Sequence, residues 1–174
     1  GGGENTSYAL MTNYLEEEGM LKHTGYKRYN IRPNITFSPY DWLEIGEKGG
    51  VTYSEDWGYQ SSNSLWSAIS ETHRMQPIVP VRDVGGNFAG TRAPGLGNAS
   101  NPMFQLAMNQ YDREKYLNVS GNLFARASFL DALSIKTTLG YDYGTTNSRD
   151  IDYNEKAHAE RGKYDDLSES SSYG

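Results

Sequence analysis

The stretch Tyr26–Phe37, YKRYNIRPNITF, separates into two chemistries when every second residue is read. Arg28, Asn30, Arg32, Asn34 and Thr36 make one set, and Tyr29, Ile31, Pro33, Ile35 and Phe37 make the other. Successive side chains of a strand point to opposite faces, so this is a ribbon with one polar and one apolar side. Such a ribbon needs water on one side and an apolar surrounding on the other. Pro33 lacks an N–H and takes one bond out of the ladder, which a neighbouring bulge would accommodate.

Four further segments alternate in the same way, which makes strands the expected element throughout. TSYALMTNY sets Tyr8, Leu10, Thr12 and Tyr14 against Ser7, Ala9, Met11 and Asn13. DWLEIGEKGGVTYS carries Leu43, Ile45, Val51 and Tyr53 on its apolar register, but Glu47 falls there too. Gly46, Gly49 and Gly50 interrupt it and predict a bulge or bend. YLNVSGNLFARASF groups Leu117, Val119, Leu123, Ala125, Ala127 and Phe129 against Asn118, Ser120, Asn122, Arg126 and Ser128. LSIKTTLGYDYG sets Leu133, Ile135, Thr137, Leu139, Tyr141 and Tyr143 against Ser134, Lys136, Thr138, Gly140 and Asp142.

Composition narrows the choice of surroundings. Only 36% of the 174 residues are hydrophobic, yet 13% are aromatic, with 14 tyrosines. Mean hydropathy is -0.74. A disordered chain would be poor in aromatics, whereas β structure with one wet face fits. The net charge of -6 and the lack of a basic patch argue against nucleic acid as a partner. With no cysteine there is no disulfide, zinc–thiolate site or thiol catalysis. No apolar run reaches the ~18 residues of a membrane helix. The first residue is glycine, and an interior piece of a longer polypeptide, or a processed product, is expected.

The connections alternate in length. A medium polar loop, EEEGMLKHTG, joins the first two strands, and the short SPYD joins the next two. A long segment from Trp57 to Lys115 follows, then the tight LDA, then a polar stretch from Thr145 onward. In an up-and-down meander all long connections then lie at one end, as in outer-membrane barrels. Tyr14, Tyr26, Tyr29, Trp57 and Tyr116 fall near the long-loop ends, and Tyr40, Trp42 and Phe129 near the short turns. Aromatics at both ends read as girdles at two membrane interfaces. The expected fold is all-β, an antiparallel up-and-down transmembrane β-barrel segment of about five strands of a larger barrel, with one long extracellular loop. Residues 1–56 supply three strands with a short turn at 38–41, 57–115 the loop, 116–144 a hairpin, and 145–174 a polar extracellular loop or tail. The arginine and asparagine face then looks into a wet lumen and the Ile, Pro and Phe face at lipid. A soluble β-sandwich is the competing reading, and with it a secreted β-rich carbohydrate-binding module or adhesin without a transport role.

GGGENTSYALMTNYLEEEGMLKHTGYKRYNIRPNITFSPYDWLEIG resembles the first barrel strands of the SusC/RagA-like TonB-dependent outer-membrane transporters of Bacteroidetes. PIVPVRDVGGNFAG and GLGNASNP resemble the next extracellular loop of that family, and NLFARASFLDALSIKTTLGYDYG the following hairpin. The resemblance runs to about Tyr143. It implies a barrel of roughly 22 strands with a plugged lumen, placed in the bacterial outer membrane. It also implies nutrient uptake of glycans or peptides driven by TonB through a plug domain absent from this chain. The implied partners are a SusD-like surface lipoprotein and outer-membrane lipid.

No motif points to an enzyme, a cofactor or a metal. Glu16, Glu17 and Glu18 lack the spaced oxygen ligands of a calcium loop and read as solvated loop. His23, His73 and His158 stand apart, without HExxH spacing. GLGNAS has no strand-then-helix setting, and DVGGN, Asp83 to Asn87, reads as a hairpin turn. A short helix is expected over Asn63 to Arg74 behind an Asn cap. The long loop holds the candidate substrate or lid contacts Trp57, Tyr59, Trp66, Arg74, Arg82, Phe88 and Arg92. Their aromatic rings can stack on sugars and their guanidinium groups can meet carboxylates. Packing of the loop on itself is the competing role for each. On the lumenal side Arg28, Arg32, Arg126 and Lys136 are placed to contact the plug, or else to line a substrate path.

Overall fold

The computed structural model is one antiparallel sheet of six strands in chain order. The strands are β1 (Thr6–Glu18), β2 (Gly25–Tyr40), β3 (Leu43–Trp57), β4 (Arg113–Phe129), β5 (Leu133–Asp152) and β6 (Asp166–Tyr173). Among the described residues two short α-helices, α1 (Ala68–Arg74) and α2 (Pro102–Met108), lie between β3 and β4. The structure describes residues 1–58, 67–129, 133–153, 156–157 and 165–174. The sheet is open, and β1 and β6 are its edges. The expected antiparallel up-and-down order and the alternation of long and short connections are both present.

Pairing carries the apolar face unbroken from β1 to β5. Leu10 lies opposite Pro33, and Thr12, Ile31, Val51, Val119 and Tyr143 form one row across five strands. Phe37, Ile45, Ala125 and Thr137 form another. Leu10, Ile31, Ile35, Ile45, Leu123 and Leu139 are 43 to 65% exposed. A contiguous apolar face of this extent is rare on a soluble monomer and suits contact with lipid. The polar face is the more enclosed one: Asn30, Ser54 and Phe124 on it are buried. There Thr52 Oγ1 donates to Asn30 Oδ1 at 2.8 Å, and Asn30 Nδ2 donates to Asn13 Oδ1 at 3.4 Å.

Aromatic rings gather at both ends of the apolar face. Tyr14, Tyr29 and Tyr53 form a row with centroid spacings of 4.9 and 6.2 Å. At the short-turn end Trp42 stacks on Tyr40 at 5.6 Å and reaches Phe129 at 6.4 Å. Tyr29 and Phe37 are eight residues apart in β2, about 27 Å along a strand. A barrel tilt of ~40° brings this to ~21 Å, close to the ~25 Å apolar band of such barrels. Tyr26 and Tyr116 depart from the expected girdle. They pair with Asp56 and Ser54 on the polar register, so the aromatic row owes nothing to them.

Several elements differ from expectation. Six strands are present rather than five: β5 continues to Asp152, and β6 lies in the segment expected as polar loop or tail. Pairing of Thr145–Asp152 with Asp166–Tyr173 satisfies backbone groups and needs no apolar pattern. Glu16, Glu17 and Glu18 belong to β1, where Glu16 reaches Lys27 at 3.5 Å. The register shift in β2 lies between Phe37 and Tyr40, away from Pro33 and away from the β3 glycines.

Those glycines do not bend the strand. Each lies beneath a side chain from another strand. The ring of Phe124 covers Gly46 and the Arg32 stem covers Gly50 on the polar side, while Tyr141 crosses Gly121 and Gly49 on the apolar side. The Tyr141 hydroxyl thereby reaches Glu47 Oε1 at 2.8 Å. Glu47, a mid-strand carboxylate on the apolar register of β3, is thus hydrogen-bonded where lipid would offer nothing. A Cβ on Gly121 would sit 2.6 Å from the Gly49 Cα and 2.8 Å from the Lys48 carbonyl, both backbone atoms. Gly121→Val should therefore cost about 1–3 kcal/mol by overpacking. Its heat-unfolding midpoint in detergent should fall below that of Gly140→Val, because Gly140 has only one atom nearby, at 4.0 Å. Equal midpoints for the two variants would contradict this account.

Candidate functional site

The long connection between β3 and β4 folds around polar contacts. Asn101 stands before Pro102, a residue suited to the first turn of a helix, and caps α2. Its Oδ1 accepts from the N–H groups of Met103 at 3.0 Å and Phe104 at 3.3 Å. Its Nδ2 donates to the carbonyls of Val81 at 2.9 Å and Ala89 at 2.7 Å. One buried amide thus ties the helix start to both arms of the hairpin at 81–89. The turn of that hairpin is DVGGN, as expected: Asp83 Oδ1 accepts from Gly85 N and Asn87 N, each at 2.9 Å. Gly86 takes a φ of 84°, a conformation open to glycine.

A second buried group fastens α1. Glu71 is fully buried; Arg74 donates to its Oε1 at 2.7 Å and Ser100 N to its Oε2 at 2.9 Å. Arg74 also donates to Asn98 Oδ1 at 2.9 Å. Arg74, expected as a substrate or lid contact, is thus engaged within the loop. α1 is capped by Ser67, whose backbone is extended and whose side chain accepts from Ser70 N at 3.1 Å. The Asn63 cap expected from sequence lies outside the described residues, as do Tyr59, Trp66 and His158.

Two of the cavities formed by the described residues open on this loop. Arg82 and Phe88 face each other across an isolated bridge, with the guanidinium 4.3 Å from the ring centroid. Phe104 meets Phe88 edge-on at 5.7 Å. With Lys156 and Ala157 these residues line a cavity of about 500 Å³. Two aromatic rings and two cations in one open pocket can stack on a ring and meet a carboxylate. Arg92 does not line it and is committed to structure, donating from Nη1 to the Lys156 carbonyl at 2.9 Å. The other cavity, about 430 Å³, is apolar. Leu21 from the β1–β2 connection lines it together with Ile69, Met75, Val79 and Leu106.

The remaining candidates lie on the sheet. Trp57 ends β3 on the apolar register, covers Gly25 and lies under the Lys27 ammonium at 5.0 Å, away from the loop cavities. Arg28, Arg32, Arg126 and Lys136 all fall on the polar register. Arg126 reaches Glu44 at 3.9 Å. Sequence reading missed Asn101 as the organiser, although Asn-Pro before an apolar run is a helix-start signal. It also missed Lys156, which only tertiary folding brings to the cavity.

Burial raises the pKa of Asp112, which precedes β4, although the Ile151 N–H donates to its Oδ1 at 2.9 Å and opposes the shift. Its folded-state pKa lies above the unfolded one, so the folded joint loses stability as pH rises from about 4 through the raised value. Asp112→Asn should abolish that slope, read as exchange of the Ile151 amide between pH 4 and 7 after correction for intrinsic rates. Asn101→Ala should destabilise the loop locally by roughly 2–4 kcal/mol, since buried partners are left unpaired. Amides at 83–89 and 103–104 should then exchange at least about thirty-fold faster, while those of β3 and β4 stay unchanged.

Comparison with known proteins places this geometry in a wider setting. No family model matches the chain. It is 23% identical over 154 residues to TonB-dependent receptor P3 of Formosa agariphila, covering 84% of this chain and 15% of the receptor. It is 24% identical over 163 residues to TonB-dependent receptor P39 of the same organism, covering 94% and 15%. Among solved structures it is similar to the RagAB peptide importer in its closed-closed state. That match has a TM-score of 0.62 and 21% identity over 89% of this chain and 18% of the other. A second RagAB peptide transporter structure matches with a TM-score of 0.61 at 22% identity, over 87% and 17%. The chain thus spans about 15% of the length of the curated relatives it matches. The SusC/RagA-like resemblance read from the sequence is borne out, and the six-stranded sheet has the fold of a segment of a RagA-like barrel.

Proposed function

We propose that this chain forms part of the barrel wall and outer vestibule of a TonB-dependent outer-membrane importer. In this reading the apolar face lies in outer-membrane lipid, the polar face lines the lumen, and the long loop receives an oligosaccharide or peptide. A SusD-like lipoprotein covers the loop, and TonB acts through a plug domain elsewhere in the protein. The observation that carries the reading is the unbroken apolar face between two aromatic rows at membrane spacing. The similar proteins are receptors and importers by name, which supports transport over catalysis.

The aromatic–cation pocket at Arg82, Phe88 and Phe104 is the proposed point of substrate contact. Stacking on Phe88 and a charge-assisted bond from Arg82 or Lys156 would orient a solute before it enters the lumen. In the intact protein, Phe88→Ala and Arg82→Ala should each lower uptake at least about tenfold, with an unchanged amount of protein in the outer membrane. Deleting tonB in the same strain should abolish uptake. TonB-independent uptake would remove the importer reading, and full uptake by both variants would move substrate contact elsewhere.

A further inference from the structure

Past the outer aromatic row, the apolar face of the sheet turns charged. Among the described strand residues that register carries Glu47 at mid-strand, and its other charged groups all lie beyond Tyr14, Tyr29 and Tyr53, toward the long connections. On β4 and β5 the row next to the tyrosines sets Lys115 against Asn147, and the row after it sets Arg113 directly against Arg149. Two and four residues along a strand are about 7 and 13 Å, or about 5 and 10 Å of height at a tilt of ~40°. The head-group layer of a bilayer adds roughly 5–8 Å beyond the hydrocarbon core. Lys115 therefore stands within that layer and the two arginines at its outer edge.

Like charges placed directly opposite one another weaken a strand pair. Each arginine is held from its far side: Glu55 of β3 lies 3.6 Å from Arg113 Nε, and Glu169 of β6 lies 3.6 Å from Arg149 Nε. Arg113 Nη1 also donates to the carbonyls of Gln110 and Asp112, each at 2.7 Å. The carboxylates thus occupy the flanks, and the centre of the cluster, with Lys115 as its third cation, is positive and draws an anion. β4 and β5 are inner strands with β3 and β6 on either side, so closing the barrel adds no strand here, and a plug would lie on the opposite face. Below the cations, Leu117 and Val119 continue the same register into the apolar face. A ligand with an anionic head and an apolar chain meets both surfaces at once, and guanidinium and ammonium groups suit a phosphate head.

We propose that Arg113, Lys115 and Arg149 form a head-group site for a phosphate-bearing lipid of the outer leaflet, whose acyl chain runs down over Leu117 and Val119. This rests on the barrel reading, in which this face meets lipid, and deepens it by naming the lipid chemistry at the outer rim. The test uses the full-length protein in detergent with its native partner retained. It is irradiated with phosphatidic acid or phosphatidylcholine carrying the same photoreactive acyl chain, and labelled residues are mapped by peptide mass spectrometry. The expected result is at least threefold more label at 117–123 from phosphatidic acid than from phosphatidylcholine. That excess should be lost in Lys115→Gln and in Arg149→Gln and kept in Lys48→Gln, a change on the other face. Equal labelling by the two lipids, or an excess that survives both variants, overturns the site. So does an excess removed by inorganic phosphate at matched ionic strength, which would make the ligand a free ion. An absence of label from either lipid would show that this face does not meet lipid, and would remove the barrel reading together with the site.

Discussion

The register between strands is the constraint on which the rest depends. A slip of one residue in any pair would turn a whole strand over, setting Arg28 and Arg32 among Ile45 and Val51. The observed pairing avoids this through five strands, and chemistry at the rows reinforces it. Tyr14, Tyr29 and Tyr53 meet ring to ring, and Asn13, Asn30 and Thr52 share hydrogen bonds on the other side. Both sets are lost together in a shifted sheet, so each face helps to hold the other in place.

Small residues at chosen rows let large ones lie flat. Tyr141 crosses two glycines to reach Glu47, and Phe124 covers Gly46. The Tyr141 contact links β5 with β3, strands that are not hydrogen-bonded to each other. It resists shear of the sheet more directly than a neighbour-to-neighbour ladder does. Side-chain identity in β3 is therefore set as much by what lies above it as by its own strand propensity.

Alternation made the first five strands legible because each has water on one face and an apolar surrounding on the other, and their sequences carry that difference. β6 was not legible for the same reason. DLSESSSY offers only Leu167 and Tyr173 as apolar residues, and its place is held by backbone bonds to β5. The glycines of β3 read as bends in the sequence because the side chains above them come from other strands: rings far later in the chain over Gly46 and Gly49, and the Arg32 stem over Gly50. In the loop, the Asp83 turn could be read locally. The meeting of Arg82 and Phe88 with Phe104 and Lys156 could not, since it rests on an amide at Asn101 that reaches across the loop.

The interior of that loop has a consequence for how such a protein can change. Its buried residues include the polar Ser67, Glu71, Thr91, Ser100, Asn101 and Gln105 beside Ala68, Ala89, Ala99 and Leu106, and the side chains of Ser67, Glu71, Thr91 and Asn101 fasten it with directional bonds. The frame made by Asn101 and Glu71 contacts backbone groups for the most part, which every residue type except proline supplies alike. Residues at the rim, such as Arg82, Phe88 and Lys156, contribute little to that frame. Under the proposed reading, the part that keeps the loop folded is separate from the part that would meet a solute, so recognition could be rewritten at the surface without rebuilding what lies beneath.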